Sequence, residues 1–198
     1  MRVAILDYGA GNLHSLAKAA RADGANVNIT CDVAEALDSD AMLLPGVGAF
    51  GSATDFLEPH REPIRAALDK GLSCLGICLG MQLLFDSSEE GAGRGLGIIA
   101  GSVRRLGARR VPQIGWNTLE DARDPLLSAS GLETAYFANS YVCDPIDRES
   151  ITAWTTHETD RFAAVVRVGN VVGVQFHPEK SSSEGVQLIR AFLAESRR

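Results

Sequence analysis

Short apolar runs alternate with helix-patterned segments through the first half of this chain, and that rhythm leaves few folds open. Val3 to Leu6 is followed by a helical pattern from Leu13 to Ala22 that closes at Gly24, then by Val27 to Thr30 and Ala41 to Leu44. A second helical pattern, Ile64 to Lys70 with Gly71 as its C-cap, leads into the apolar run Leu72 to Ile77 and a helix predicted over Leu79 to Phe85. Strands that read as continuous apolar runs are buried on both faces, and parallel strands need helical crossovers between them. The expectation is a three-layer α/β fold with a central, mostly parallel sheet between helices.

The second half is richer in strands. Ala135 to Ala138, Ile151 to Thr155, Phe162 to Val168 and Val171 to Phe176 are all β-prone, and Gly169-Asn170 between the last two is a hairpin signal. Ser181 followed by Glu184 fits a capping box that opens a final helix carrying Val186, Leu188, Ile189, Phe192 and Leu193. With 198 residues and neither repeat nor linker, one domain over residues 1–198 is expected.

Composition narrows the function classes. The chain is 45% hydrophobic and 22% charged, enough apolar material for a core, and its 19 Lys and Arg against 25 Asp and Glu leave a net charge of -6. Phosphate-backbone binding calls for a basic surplus, so nucleic acid is excluded as a partner. No apolar stretch is long enough for a membrane span and the first residues are too short a run for a signal peptide, so no membrane partner and a cytoplasmic location are expected. The four cysteines form no C-x-x-C pair, which points to neither a disulfide framework nor a metal site. Cys31, Cys74 and Cys143 are then expected as small buried residues, and Cys78 is judged by its surroundings.

Those surroundings are Gly76-Ile77-Cys78-Leu79-Gly80, a G-x-C-x-G between a predicted strand and a predicted helix. This is the thiol counterpart of the G-x-S-x-G nucleophile turn. Glycines allow a sharp corner that lifts the middle side chain into the open at the end of the sheet, where a helix N-terminus favours thiolate over thiol. A second element agrees with it: His177-Pro178-Glu179 follows the last strand, and residues two apart on an extended chain point the same way. The carboxylate can hold the imidazole, which accepts the thiol proton and later delivers a proton to the leaving group. His14, His60 and His157 lie in a helical pattern, beside a proline and in a polar stretch, and compete poorly for that role.

Gly46-Val47-Gly48-Ala49-Phe50-Gly51 has two readings. It matches the dinucleotide-binding G-x-G-x-x-G, but the fingerprint needs an acidic residue at the end of the next strand, and here that strand ends in the nucleophile turn. A thiol hydrolase needs backbone N–H groups aimed at a developing oxyanion, which the Gly46, Val47, Gly48 loop and the N–H of Leu79 can supply.

The chain resembles the triad-type, class I glutamine amidotransferases essentially end to end. The resemblance is carried by Asp7-Tyr8-Gly9-Ala10-Gly11-Asn12-Leu13, Leu44-Pro45-Gly46-Val47-Gly48-Ala49-Phe50, Leu75-Gly76-Ile77-Cys78-Leu79-Gly80-Met81-Gln82, Gly115-Trp116-Asn117 and Gln175-Phe176-His177-Pro178-Glu179-Lys180-Ser181. It implies a flavodoxin-like fold, the triad Cys78, His177 and Glu179, and glutamine as substrate, with no cofactor. Gln82, one helical turn beyond Cys78, then reaches the substrate, Glu90 receives its ammonium, and the backbone at Ser140 and Tyr141 its carboxylate. The family usually carries a histidine where this chain has Asn139.

The Tyr8 to Asn12 and Gly115 to Asn117 segments place the resemblance in the branch that serves histidine biosynthesis. Members of that branch pass ammonia to a cyclase subunit, a (β/α)₈ barrel that forms imidazole glycerol phosphate and an aminoimidazole carboxamide ribotide. A heterodimer is implied, since no cyclase fits within 198 residues, with Asn12, Trp116 and Lys180 facing the partner. A glutaminase serving a different synthase, a stand-alone cysteine hydrolase of the same fold, and a non-catalytic nucleotide-binding module remain alternatives at this stage.

Overall fold

The computed structural model describes residues 1–9, 13–21 and 24–197. In chain order the strands and helices are β1 (Arg2–Leu6), α1 (His14–Ala20), β2 (Asn26–Thr30), α2 (Val33–Leu37), β3 (Ala41–Leu44), α3 (Phe50–Leu57), α4 (Arg61–Asp69), β4 (Ser73–Ile77) and α5 (Leu79–Gln82). There follow β5 (Ser87–Ser88), β6 (Gly101–Arg105), β7 (Gln113–Thr118), α6 (Pro125–Ser130), β8 (Thr134–Asn139), β9 (Tyr141–Pro145), β10 (Ile151–His157), β11 (Asp160–Val168), β12 (Val171–Val174) and α7 (Ser182–Glu195).

Among the described residues the strands form a seven-stranded sheet in the order β10-β11-β12-β4-β3-β1-β2, with small accessory sheets β5-β6-β9 and β7-β8. The pairs from β12 through β4, β3 and β1 to β2 are parallel, and β10, β11 and β12 pair antiparallel. Period-2 alternation sends alternate residues to opposite faces. Val3, Ile5, Leu43, Leu75 and Ile77 pack with Leu16, Leu127, Ile189 and Phe192 on one face. Ala4, Leu6, Met42, Leu44 and Cys74 pack with Phe50, Leu57, Ile64 and Met81 on the other. Both faces are dry, as the continuous apolar runs require, and the expected architecture holds. No described helix is long and apolar enough to cross a membrane.

Several local expectations fail for identifiable reasons. The helix expected over Leu79 to Phe85 stops at Gln82, because the amides of Leu96 and Ile98 take the carbonyls of Leu83 and Leu84 that a longer helix would present to its own next turn. Helix α1 covers His14–Ala20, and Ala22, where the expected helix closes, lies outside the described residues. Ser181 does precede α7, yet its side chain caps nothing there. Its hydroxyl donates to the His177 carbonyl at 2.7 Å and accepts from the Tyr136 amide at 2.9 Å, so the capping-box reading is replaced by a tie between β8 and the segment that follows β12. Cys31 is exposed, whereas Cys74 and Cys143 are buried.

The placement of the site follows from the connections. Strand β4 hands its chain to α5 on one face, while neighbouring β12 hands its chain to α7 on the other. Two loops that part at adjacent carboxyl ends of parallel strands open a crevice between them, where ligands of α/β sheets bind.

Candidate active site

Cys78 occupies the turn between β4 and α5 with φ 49° and ψ -103°, a left-handed conformation that costs a side-chain-bearing residue on the order of 1–3 kcal/mol. The residues two positions to either side must be glycine. A Cβ on Gly76 would lie 2.6 Å from the Gly80 carbonyl oxygen, and one on Gly80 would overlap the carbonyl of Leu44 on β3. The Cys78 amide donates to the Val174 carbonyl at 2.7 Å, fastening the corner to β12. The thiol is 7% exposed and lies at the floor of a cavity. Expected in the open, it is instead walled in by segments distant in sequence.

His177 and Glu179 come together as their spacing demands, with Nδ1 of His177 2.8 Å from Oε1 of Glu179. The imidazole is 3% exposed, and the backbone around it is pinned on both sides. Its amide donates to the Tyr136 carbonyl at 2.8 Å, and its carbonyl accepts from Ser181 and from the Lys180 amide. Burial works to lower the His177 pKa, but hydrogen bonds and charge interactions with Cys78 and Glu179 outweigh it and raise the pKa to about 9. At neutral pH the imidazole holds its proton between a sulfur and a carboxylate.

The glycine loop after β3 lies against this pair. A Cβ on Gly46 would come 2.9 Å from Cε1 of His177 and 3.0 Å from Cβ of Cys78, so only glycine lets the backbone approach this closely. Gly48 takes φ 119°. The Tyr8 hydroxyl donates to the Pro45 carbonyl and anchors the start of the loop. Gly46, Gly48 and Leu79 line the cavity; the Val47 side chain packs against the core instead.

The cavity has a volume of about 190 Å³, and Gln82, Glu90, Asn139, Ser140 and Tyr141 complete its wall. Helix α5 and the β8–β9 junction thus bring the expected substrate residues opposite Cys78. Gln82 and Asn139 both donate to the Tyr141 carbonyl, at 3.4 and 3.1 Å. Glu90 accepts from the Phe50 amide at 3.0 Å, so it also holds the first turn of α3. Asn139 is 4% exposed, and its Oδ1 has no hydrogen-bond partner among the described residues.

The surface residues divide. Trp116 on β7 is 55% exposed, beside Ile114 on the same face, and its ring meets Tyr136 edge-on at 6.3 Å. Lys180 is exposed in the 3₁₀ turn Pro178–Lys180. Asn12 lies outside the described residues. Three contributors carried no site role from sequence: Tyr8, Ser181, which was read only as a helix cap, and Gln175, whose Nε2 is 3.5 Å from the Cys78 sulfur. Gln175 had a signal, being a polar residue inside the apolar run Val171 to Phe176.

A strained cysteine corner, a buried His-Glu pair and a glycine loop on a mostly parallel sheet define a thiol-dependent amide hydrolase, and comparison with known proteins gives the class. The family Glutamine amidotransferase class-I matches residues 4–196, and the chain belongs to it. Solved structures agree on the fold. A glutamine amidotransferase crystal structure superposes with TM-score 0.76 at 20% identity over 99% of each chain. PurLQS from Thermotoga maritima superposes with TM-score 0.69 at 20% identity over 98% of each.

Within that class the chain groups with one subunit. It is 42% identical to imidazole glycerol phosphate synthase subunit HisH of Nostoc punctiforme, over 98% of this chain and 96% of that protein. The HisH subunit of Halobacterium salinarum is 43% identical over 96% and 92%, and that of Chlorobaculum tepidum 42% over 96% and 98%. The chain is a member of this HisH family.

Proposed function

We propose that this chain is the glutaminase subunit of imidazole glycerol phosphate synthase, acting in histidine biosynthesis as one domain over residues 1–198. The observation that carries the reading is His177, buried between Cys78 and Glu179 beside a cavity that also holds Gln82 and Glu90. The Cys78 sulfur attacks the side-chain carbonyl carbon of glutamine. The resulting oxyanion is met by backbone N–H groups of Leu79 and the Gly46, Val47, Gly48 loop. Protonated His177 gives its proton to the amide nitrogen, the C–N bond breaks and ammonia leaves. Water, deprotonated by His177, then adds to the thioester; the C–S bond breaks and glutamate departs. Glu179 keeps the imidazole oriented through both steps.

In this reading Glu90 binds the substrate ammonium, the backbone at Ser140 and Tyr141 its carboxylate, and Gln82 borders the carboxamide. Ammonia is useful only unprotonated and shielded from water, so it passes to a separate cyclase subunit in a cytoplasmic heterodimer. Asn12, Trp116 and Lys180 form part of the facing surface. An exposed Trp beside an exposed Ile suits such a surface, because aromatic anchors dominate binding energy when they become covered.

The test is a glutaminase assay of wild type and Cys78→Ala with and without the cyclase subunit and its nucleotide substrate. Wild type should turn over glutamine chiefly in the complex, and Cys78→Ala should abolish that while ammonia-dependent synthesis persists. Full activity from the isolated chain, or loss of both activities in the variant, would overturn the proposal.

A further inference from the structure

We infer that Gln175 is a further catalytic residue, its side-chain amide donating to the Cys78 sulfur and holding it ready as thiolate. The inference rests on the proposed role of Cys78 as nucleophile.

Register places the two residues together. Val174 on β12 pairs with Ile77 on β4, and the Cys78 amide to Val174 carbonyl bond extends that parallel ladder by one residue. Gln175 therefore lies directly beside Cys78. Its own amide donates to the Ala164 carbonyl at 2.9 Å, which fixes its backbone from the β11 side. The side chain is fully buried, with Nε2 3.5 Å from Sγ of Cys78.

The rest of the amide argues against a structural purpose. Oε1 of Gln175 is buried with no hydrogen-bond partner among the described residues. A buried acceptor left unpaired loses its hydration without replacement, and an apolar side chain of the same length would avoid that cost. Four of the five other residues in the run Val171 to Phe176 are apolar and one is glycine. A glutamine kept in that place at that cost is explained by what its nitrogen touches.

The orientation follows from the state of the sulfur. An amide N–H needs an acceptor, and a thiolate is a far better one than a thiol. His177, held by Glu179 at 2.8 Å and under the influence of Cys78, has its pKa raised to about 9, so a proton given up by the thiol has a place to reside. With the amide turned over, Oε1 would face a negative sulfur. Donation from Nε2 is the arrangement compatible with an ion pair, and charge-assisted hydrogen bonds are the stronger kind. The same N–H serves twice: it favours the thiolate before attack, and favours it again as leaving group when the thioester is hydrolysed. Stabilisation trims the intrinsic nucleophilicity of the sulfur, but only partially, since nucleophilicity follows basicity with a slope of about 0.4–0.5.

The experiment compares wild type, Gln175→Met and Gln175→Asn as full chains in complex with the cyclase subunit. Methionine keeps the length and removes the donor; asparagine keeps an amide but withdraws it by one methylene. Iodoacetamide labelling is followed at Cys78 by peptide mass spectrometry, with exposed Cys31, three strands away in the sheet, as internal reference. Both variants should label Cys78 about tenfold more slowly at neutral pH, the effect of shifting one titration by one unit, with the pH profile displaced upward and Cys31 unchanged. Glutaminase kcat should fall in parallel while KM for glutamine changes less than twofold.

An unaltered Cys78 pH profile in either folded variant would overturn the inference, since a space-filling role predicts lower thermal stability without that displacement. Should the methionine variant not fold, the asparagine variant alone decides. Failure of the underlying reading looks different: wild-type Cys78 would then label no faster than Cys31, and glutamine would not protect it.

Discussion

The elbow at Cys78 and the ribbon β7–β8 both border the candidate active site, yet they are built on opposite principles. At the elbow, glycine backbone is pressed against its surroundings: Gly76 against the Gly80 backbone, Gly80 against the Leu44 carbonyl, Gly46 against the side chains of Cys78 and His177, all at the ends of strands buried on both faces. On the ribbon, Ile114 and Trp116 face outward, and a Cβ on Gly115 would meet nothing within 4 Å. The two are joined through Tyr136, whose carbonyl holds the His177 backbone while its ring meets Trp116. The groups proposed to perform the chemistry are held tightly on every side, and those proposed to meet a partner stand where something can cover them.

The sharpest break with this picture comes at the proposed nucleophile, Cys78. Cys78→Ser in the complex should lower glutamine-dependent synthesis by about 10⁴-fold or more with ammonia-dependent synthesis retained, because residues of a triad act as one unit. Next in size is the contrast between glycines. Gly80→Ala forces a methyl group into the Leu44 carbonyl and should cost about 3 kcal/mol in urea unfolding, at the upper end for overpacking. Gly115→Ala at φ 136° should cost only about 1 kcal/mol, backbone strain without a clash. Equal costs would mean that the elbow is no more tightly packed than the ribbon.

Trp116→Ala should leave stability of the free chain within about 0.5 kcal/mol, as for surface changes generally. It should weaken binding to the cyclase subunit roughly tenfold or more in calorimetric titration, the scale of an interface anchor. Unchanged affinity would move the partner surface off the ribbon.

A further test of how tightly the elbow is held is in pH. The pKa of His177 is raised from 6.5 to about 9 in the folded chain, so its protonated form contributes stability that is fully present below about pH 6.5 and lost as pH rises through about 9. The stability difference between wild type and His177→Asn should shrink across that window. A difference that grows instead would show that the imidazole is neutral in the folded chain.

Much of the site was legible in the sequence because its demands are local. A nucleophile at a strained corner needs glycines two residues away on either side, and an imidazole oriented by a carboxylate on an extended segment needs that carboxylate two residues on; Cys78 and His177 carry both signatures. Ser181 shows the limit. A serine before a helix with glutamate three residues later suits a capping box, but a hydroxyl bonds whatever lies nearest, and the Tyr136 amide and His177 carbonyl were nearer. The length of α5 was misjudged for a related reason, since residues 95–98 compete for the carbonyls that a helix would have used. Gln175 stood out as polar in an apolar run, yet nothing local revealed that its amide meets sulfur.

What the sequence determined by itself is therefore the layered sheet, the corner at Cys78 and the His177–Glu179 pair, because periodicity and turn chemistry are settled within a few residues. The tertiary structure alone decided that β12 lies against β4 and brings Gln175 and His177 to Cys78 across about a hundred residues of chain. It also decided that the β8–β9 junction closes Asn139, Ser140 and Tyr141 over the cavity. Strand order is chosen by burying two apolar faces at once, a property of the whole chain that no segment carries.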